Sequence, residues 1–547
     1  MSLLPCRRLT RLLVVATSLL PALAGCAPGL TGRRVAPGTP VTAAQPWKPP
    51  ADLPIPMTDP GQPSATTAPA LPPEFAARAS KLTLAEIIDV ALRNNNRTRV
   101  TWAQARSAAA NLGGQRGALY PSVNLDATAA STRFAIGSRS AFGGGTAGAG
   151  TTGGGFGGSG AFEQTSGGPI LALSWLLYDS GSRSAAIEEA RQALIAADWM
   201  HNQTIQDVIL VVQNEYYRYV ASRALLDSQR ASVREAQTAF DVANARHDAG
   251  IATIADVLQA KTFLSQALLG EQQIEGQVQV IRGSLATAMG LPASLAASEI
   301  DVALSLDQVS VIDVMDSVDR FIAQAERERP DLAAARAQVA ASEARIRSVI
   351  AASRPSLVTN LSVGRTFIES STDNNGVGTY NASLALRVPI WNGGIYGYNR
   401  LRAENDAGAA RARLDSLRQL VILEVWTSYS NVKTSARRVA TAEDLLGSAV
   451  QNEEVASGRY TAGVGSILEL LTAQRQLESA RASHVEARAD WATSLARLVH
   501  ATGAAGLQAA AAPVAPDGTV APDGTVAPAA TIGTPDDPSS DSDRVKP

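Results

Sequence analysis

The stretch "ARHDAGIATIADVLQA" (245–260) occurs a second time, in altered form, as "GRYTAGVGSILELLTA" (458–473), 213 positions further along the chain. The same shift places "YDSG" (178–181) on "WNGG" (391–394) and "AMG" (288–290) on "ATG" (501–503). Because the shift is constant from residue 178 to residue 290, no insertion separates the two copies. An internal repeat of this kind determines the architecture of the whole chain.

Each copy of the repeat is predicted to be a long helical hairpin. There is no proline between Pro169 and Pro292, and none between Pro389 and Pro513. A helix of ~65 residues would be about 100 Å long, so it must pack along its length as a coiled coil. Gly250 supplies a left-handed C-terminal position, after which the helix resumes. The hairpins are predicted at 182–288 and 394–502. An apolar heptad-like stripe supports the first of them: Ile205, Val208, Ile209, Val212, Tyr216, Tyr219 and Val220.

Strand pairs are predicted in front of both hairpins. "VNLDATAAS" (123–131) alternates with period two, and "PILALSWLLYD" (169–179) is a second strand. The Gly-rich segment 137–168 between them is predicted to be an exposed loop. A phosphate-binding loop is rejected there because the Lys-Ser/Thr ending is absent. In the second half, strands are predicted at 356–368 and 380–390.

A helix is predicted before each strand pair. Thr83 and Glu86 form a capping box that opens a helix running to about Gly117, with an interruption near Asn94–Asn96. The second such helix is predicted from 316 to 352, with Pro330 inside it.

The N-terminus is typical of an exported lipoprotein. Arg7, Arg8 and Arg11 precede an apolar run, which fits a cleaved secretory leader. "LAGC" (23–26) resembles a bacterial lipobox, which would make Cys26 the lipidated first residue of the mature chain. The alternative is an ordinary cleavage site with an incidental cysteine. Ala27, in place of an aspartate, implies sorting to the outer membrane in such lipoproteins.

The predicted domain organisation follows from these segments. It consists of a lipoprotein signal peptide (1–25), a Pro-rich tether (26–79), repeat 1 (80–290), a linker (291–315), repeat 2 (316–503) and a disordered tail (504–547).

Composition argues against several function classes. The formal net charge of −2 gives no electrostatic footprint for nucleic acid. Cys6 and Cys26 are the only cysteines, so the body of the chain has no thiolate metal site. His201, His247, His484 and His500 are scattered without the HExxH spacing, and no P-loop or GxSxG motif occurs. We therefore predict a protein that is not an enzyme and has no cofactor apart from a covalent lipid on Cys26.

Four strands of about 9–11 residues suit a tilted membrane β-sheet, but four strands cannot close a barrel. Closure must come from oligomerisation. Two chains would give eight strands and a filled barrel, whereas three would give twelve strands and room for a pore.

The order of these motifs resembles the TolC-like outer-membrane efflux family over about residues 80–503. The resemblance is carried by the Pro-Ser pairs at 121 and 355, by "YDSG" and "WNGG", and by the two hairpin turns. It implies an α+β membrane protein that forms a homotrimer, with a twelve-stranded barrel in outer-membrane lipid continued by a periplasmic helical tunnel. It also implies passive passage of drugs or metal ions. The implied partners are a periplasmic adaptor (a membrane fusion protein) and an inner-membrane pump of the RND type.

The resemblance assigns a periplasmic gate to the hairpin turns. Glu469 corresponds to a carboxylate that rings the lumen, and a threefold set of such groups would attract cations. The alternative is an acid that complements a helix dipole. Asp256 and Tyr460 correspond to groups that hydrogen-bond between hairpins. Thr472 and Gly465 stand where other members carry a second acid and a basic latch residue, so those two features are not expected here.

The resemblance also assigns an adaptor-docking surface to the turns. A structural role in capping is the alternative for its glycines. The matching positions are Arg246, Gly250, Leu258, Arg459, Gly463 and Leu471.

Two other functions remain open from the sequence. One is an outer-membrane channel for type I secretion. The other is a periplasmic coiled-coil lipoprotein that makes no pore, although an adaptor usually has one hairpin flanked by compact β-domain halves.

Overall fold

The computed structural model describes residues 44–45, 82–135, 161–293, 317–369 and 374–504. The predictions for the leader, Cys26, the C-terminal tail and most of the tether and linker lie outside the described residues.

Eight helices in the described ranges fall into two series of matching lengths. The first series has 11, 22, 67 and 35 residues: α1 (Leu84–Asn94), α2 (Asn96–Gly117), α3 (Ser182–Asp248) and α4 (Ile254–Ala288). The second series has the same four lengths: α5 (Val318–Glu328), α6 (Pro330–Ala351), α7 (Ile395–Thr461) and α8 (Ile467–Ala501). Both predicted hairpins are therefore confirmed to within one or two residues.

The short helices are broken in both halves. The capping box of Thr83 and Glu86 is present at the start of α1, and Asn95 separates α1 from α2 as the sequence predicts. The prediction of one continuous helix from 316 to 352 is wrong. Arg329 is extended (ψ 124°) and Pro330 begins α6, because proline lacks the N–H of a continuous helix and restricts the residue before it.

Four antiparallel strands form one sheet in the order β1-β2-β3-β4. The strands are β1 (Ser122–Ala135), β2 (Ala161–Tyr178), β3 (Ser356–Glu369) and β4 (Asn374–Arg387). They are longer than the 9–11 residues that the sequence predicts. β2 includes residues 161–168 of the predicted Gly-rich loop, and β4 lies at 374–387 and not at 380–390.

Two glycines explain why the Gly-rich segment enters the sheet. Gly167 and Gly168 pair with Ala129 and Thr128 of β1. A Cβ atom on Gly168 would lie 1.8 Å from the backbone oxygen of Arg365, so only glycine fits there. Glycines have no side chain and so do not contribute to an alternation of apolar and polar residues. The length of β2 is therefore underestimated from the sequence.

The sheet has two chemically different faces. One face carries exposed apolar side chains, including Leu125 (57%), Val363 (58%) and Leu384 (65%). The opposite face carries polar residues such as Asn360 and Ser174, which are paired across β3 and β2. The main contacts of each strand are with other strands. The apolar face is consequently left without a packed layer in the single chain.

The helices form a layer with two free edges. Near the sheet the order is α2-α3-α6-α7, and near the hairpin turns it is α4-α3-α8-α7. α3 is therefore the central helix, and its predicted stripe is buried in the largest core cluster together with α1 and α4. The outer edges are formed by α2 and α4 on one side and by α7 on the other.

Within the ranges that the structure describes, none of the helices is both long and apolar enough to cross a membrane.

Candidate gate and docking site at the hairpin tips

Both hairpins turn through the same backbone motif. At the end of α3, Gly250 (φ 75°) donates to the oxygen of His247 over 2.8 Å, and Ile251 donates to that of Arg246 over 2.9 Å. This pair of hydrogen bonds defines a Schellman cap. The left-handed glycine satisfies the last carbonyl groups and reverses the chain.

The turn after α7 repeats this geometry. Gly463 (φ 81°) donates to the oxygen of Tyr460 over 3.1 Å, and Val464 donates to that of Arg459 over 3.0 Å. A capping function therefore accounts for Gly250 and Gly463 by itself. Docking of a partner at these two glycines stays a prediction.

The two predicted acidic residues have different environments. The Asp256 carboxylate accepts from the backbone of Thr253 over 3.1 Å and completes a capping box. The backbone of Glu469 is capped by Ser466 over 3.2 Å, but its carboxylate is 54% exposed. The nearest cationic group to it is the Arg459 guanidinium, 3.8 Å away and 55% exposed. Glu469 is thus the acid whose charge is presented to solvent.

Tyr460 lies in the core between the two tips. Its side chain is 4% exposed and packs with Ala243 and Leu470, among others. The hydroxyl has no hydrogen-bond partner among the described residues. Burial raises the pKa of the Tyr460 phenol; the Arg246 guanidinium opposes this shift, and the Asp256 carboxylate adds to it. Asp256 and Tyr460 come from separate hairpins, and no hydrogen bond joins their side chains in the described part of the chain.

Arg246 ties the two tips together. Its guanidinium lies over the Tyr460 ring, 4.8 Å from the centroid, and Nη1 donates to the Tyr460 backbone oxygen. A cation over an aromatic face that also donates a hydrogen bond is a strong tertiary contact. Sequence reasoning assigned Arg246 to docking and missed this contact, because two residues 214 apart give no local signal.

The remaining predicted docking residues differ in accessibility. Leu258 is 56% exposed, whereas Leu471 is 3% exposed and belongs to the core cluster with Tyr460. The structure also presents apolar side chains at the tips that the sequence analysis did not select. These are Ile251 (66%), Ile254 (57%), Val464 (70%) and Leu468 (62%).

A second contact between the hairpins lies further from the tips. Arg481 of α8 donates from both terminal nitrogens to Glu235 of α3, over 2.8 and 3.1 Å. Both side chains are about one quarter exposed, so water screens this ion pair only in part. The second hairpin is therefore fixed to α3 at two levels.

A cluster of ion pairs and hydrogen bonds surrounds Arg329, the residue that separates α5 from α6. Its guanidinium is 9% exposed and bonds to Asp331 (2.7 Å), Glu424 (2.7 Å) and the backbone oxygen of Ala501 (3.1 Å). Nearby, His500 lies 2.9 Å from Asp207 of α3. No group of three or more His, Cys, Asp or Glu residues in the described ranges is placed to hold a metal ion.

The chain combines an amphipathic four-stranded sheet with helical hairpins of about 100 Å, whose tips contact each other and carry exposed charge. This combination is typical of outer-membrane channels that continue into a periplasmic tunnel. The profile of the family "Outer membrane efflux protein" matches residues 87–291 and 321–504. The chain belongs to this family, so it is the outer-membrane component of an efflux system and extends into the periplasm. Members of such multi-component systems work with an adaptor and an inner-membrane pump.

Individual relatives agree with this assignment. The chain is 28% identical over 441 residues to Protein CyaE of Bordetella pertussis, covering 79% of this chain and 86% of the relative. It is 26% identical over 354 residues to the pyoverdine export outer membrane protein OpmQ of Pseudomonas aeruginosa, covering 61% of this chain and 68% of the relative.

Solved structures share the fold. The Campylobacter jejuni CmeC outer membrane channel superposes with a TM-score of 0.66 at 16% identity, over 77% of this chain and 85% of that chain. The outer membrane protein VceC of Vibrio cholerae gives 0.62 at 18% identity, over 77% and 96%.

Proposed function

We propose that three copies of this chain form a closed efflux channel, built from two tandem repeats per chain. The observation that carries the proposal is the pair of free edges that each copy presents. β1 and β4 end the sheet, and α2 with α4 and α7 end the helical layer on the same two sides. A sheet edge in lipid must be paired, so the β4 side of one copy meets the β1 side of the next. Three copies give twelve strands.

The two faces of the sheet support placement in a membrane. Exposed Leu125, Val363 and Leu384 would face lipid, while Asn360 and Ser174 on the other face would line a water-filled lumen. Exposed aromatic residues near the sheet-to-helix junctions, Tyr178 (58%), Trp391 (86%) and Tyr398 (74%), suit the membrane–water interface.

The tips would form the periplasmic gate. Three copies of Glu469 about the channel axis would make a ring of carboxylates that attracts cations and repels anions. The Arg246–Tyr460 contact would hold the second hairpin against the first, and opening would require this contact to break. Asp256, fixed by its capping box, would contribute negative charge near Tyr460.

The exposed tip residues would receive the periplasmic adaptor. Ile251, Leu258, Val464 and Leu468 present exposed apolar side chains at the tips, and the Arg459 side chain is exposed there as well. A surface of this composition suits the turn of a helical hairpin from a partner. Leu471, which is buried within the protomer, is not part of this proposed surface.

Anchoring through a lipid on Cys26 is compatible with the position of the tether. His201 of α3 contacts the backbone oxygen of Gln45 over 3.2 Å. The 19 residues from Cys26 to Gln45 span up to about 65 Å when extended. His201 lies 19 residues into α3, about 28 Å from its start. The tether is therefore long enough to reach the membrane surface.

Single-channel recording in planar lipid bilayers tests the proposed function. We expect stepwise conductance that favours cations, with small drugs or metal ions as the transported class when an RND pump supplies them. A periplasmic coiled-coil protein without a pore would give no conductance, and that result would remove the proposal. Type I secretion is the alternative within the channel class, and reconstitution with an RND pump or with an ABC exporter distinguishes the two.

A further inference from the structure

The strand pairs β1–β2 and β3–β4 have the same internal register, and this allows the register of the contact between copies to be derived. Ser122 of β1 faces Ser174 of β2, and Ser356 of β3 faces Arg387 of β4. Ser356 lies 234 positions after Ser122, and Arg387 lies 213 positions after Ser174. A shift of 234 therefore converts β1 into β3, and a shift of 213 converts β2 into β4.

The pairing of β2 with β3 within one chain is the model for the pairing of β4 with β1 of the next copy. Ser174 of β2 faces Asn360 of β3, on the polar face of the sheet. Moving Ser174 forward by 213 gives Arg387, and moving Asn360 back by 234 gives Asp126. If copies join as repeats join within a chain, Arg387 of one copy faces Asp126 of the next.

The chemistry of these two residues agrees with that register. One is a cation and the other an anion, and directly opposed residues of an antiparallel pair share a face. Asp126 and Arg387 are exposed on the two edge strands, and neither has an ion-pair partner among the described residues. The equivalent intrachain position is neutral, since Ser174 faces Asn360. The opposite charges therefore occur at the edge that needs a partner.

The helical layer gives an independent match. Within the chain, Gln206 Nε2 of α3 donates to the oxygen of Gly503, at the end of α8, over 2.9 Å. Moving Gln206 forward by 213 positions gives Gln419 of α7, and moving Gly503 back by 213 gives Gly290 at the end of α4. Both residue types are therefore retained. Gln419 is exposed on the free edge of α7. Gly290 and Gly503 have nearly the same φ, 75° and 79°.

We propose that the seam between copies repeats the seam within the chain, so that Arg387 pairs with Asp126 of the next copy and Gln419 donates to Gly290 of the next copy. This inference rests on the proposed trimer and adds its register.

Disulfide trapping tests the register. Cys6 and Cys26 are the only cysteines and both lie outside the described residues, so each variant is compared with the full chain that carries no introduced cysteine. Directly opposed positions in an antiparallel pair have Cα atoms about 4.5–5.5 Å apart, which is within the range that a disulfide bridges. We expect the Asp126→Cys/Arg387→Cys variant to give covalent dimers and trimers on non-reducing gels.

Two matched variants serve as controls. Ser174→Cys/Asn360→Cys tests the intrachain template and should yield only cross-linked monomers. Asp126→Cys/Ser383→Cys moves one cysteine four residues along the same face, about 13 Å away, and should give no cross-link. Cross-linking of this displaced pair, or none for Asp126→Cys/Arg387→Cys in a protein that is still trimeric and conducting, would overturn the register. A protein that is neither trimeric nor conducting would instead overturn the proposed function.

Discussion

At the scale of residues, the two predicted acids of the tips differ in the environment of their carboxylates. Asp256 is held by its own helix start, while Glu469 presents an exposed charge next to Arg459. The distinction was not visible in the sequence, where both are acids three residues into a helix. It depends on whether the carboxylate bends back to the cap, which only the structure shows.

Glu469→Gln should reduce the preference of the open pore for cations while leaving its conductance at high salt almost unchanged, because the amide keeps the shape and removes the charge. Reversal potentials under a salt gradient measure this. Glu486→Gln, at another exposed acid of α8, is the matched control. Equal selectivity in the wild type and the Glu469→Gln variant would remove Glu469 from the gate.

Asp198 of α3 predicts a dependence of stability on pH. Its side chain is 1% exposed and Oδ1 has no hydrogen-bond partner among the described residues. Burial raises the pKa of this carboxyl from 3.8 to about 8. The folded chain thus keeps a proton that the unfolded chain loses above pH 3.8, so stability falls as pH rises towards about 8.

Asp198→Asn should stabilise the protein by a few kcal/mol more at pH 8.5 than at pH 5, because the amide cannot ionise in the buried site. Thermal unfolding followed by circular dichroism at the two pH values measures the difference. A wild type whose unfolding temperature shows the same pH dependence as that of Asp198→Asn would contradict this assignment.

At the scale of elements, the matching lengths of the helices mean that equivalent joints occur twice. Gly503 packs against the α5–α6 break, where an added Cβ would lie 2.9 Å from the Glu328 carbonyl carbon. Gly463 has a similar φ, but an added Cβ there would meet only Arg246 Nη2, at 3.8 Å. The two glycines therefore share a backbone requirement and differ in packing.

Gly463→Ala should cost about 1–2 kcal/mol, the usual penalty for a left-handed alanine. Gly503→Ala should cost about 1 kcal/mol more, since the α5–α6 break must also move. Chemical denaturation of the two variants compares them. Equal losses would show that the close approach at Gly503 relaxes without cost.

The sequence predicts the elements that depend on long, regular patterns. Both hairpins follow from the apolar stripe of α3 and from the absence of proline, and their glycine turns follow from the repeat. The sequence does not reveal the break at Arg329, because a proline within a helical pattern can also mark a kink in one continuous helix. The extent of β2 was missed because its pairing runs through Gly167 and Gly168. The Arg246–Tyr460 and Arg481–Glu235 contacts join residues more than 200 positions apart, and no local pattern reports them.

At the scale of the whole molecule, the free edges of one chain carry opposite charges at the proposed seam. Asp126→Arg alone should weaken assembly, because two arginines would then face each other across the edge strands. The double variant Asp126→Arg/Arg387→Asp should restore it, since the charges are exchanged and not lost. The fraction of trimer that survives mild SDS treatment measures this. A double variant as weak as the single one would argue against a direct pair.

The central claim is that three copies close one channel, because four strands per chain cannot seal a sheet in lipid. Native mass spectrometry of the detergent-extracted protein tests this most directly. We expect one dominant species with the mass of three processed chains and their lipids. A dominant species of one or two chains in a preparation that still conducts would contradict the twelve-stranded channel.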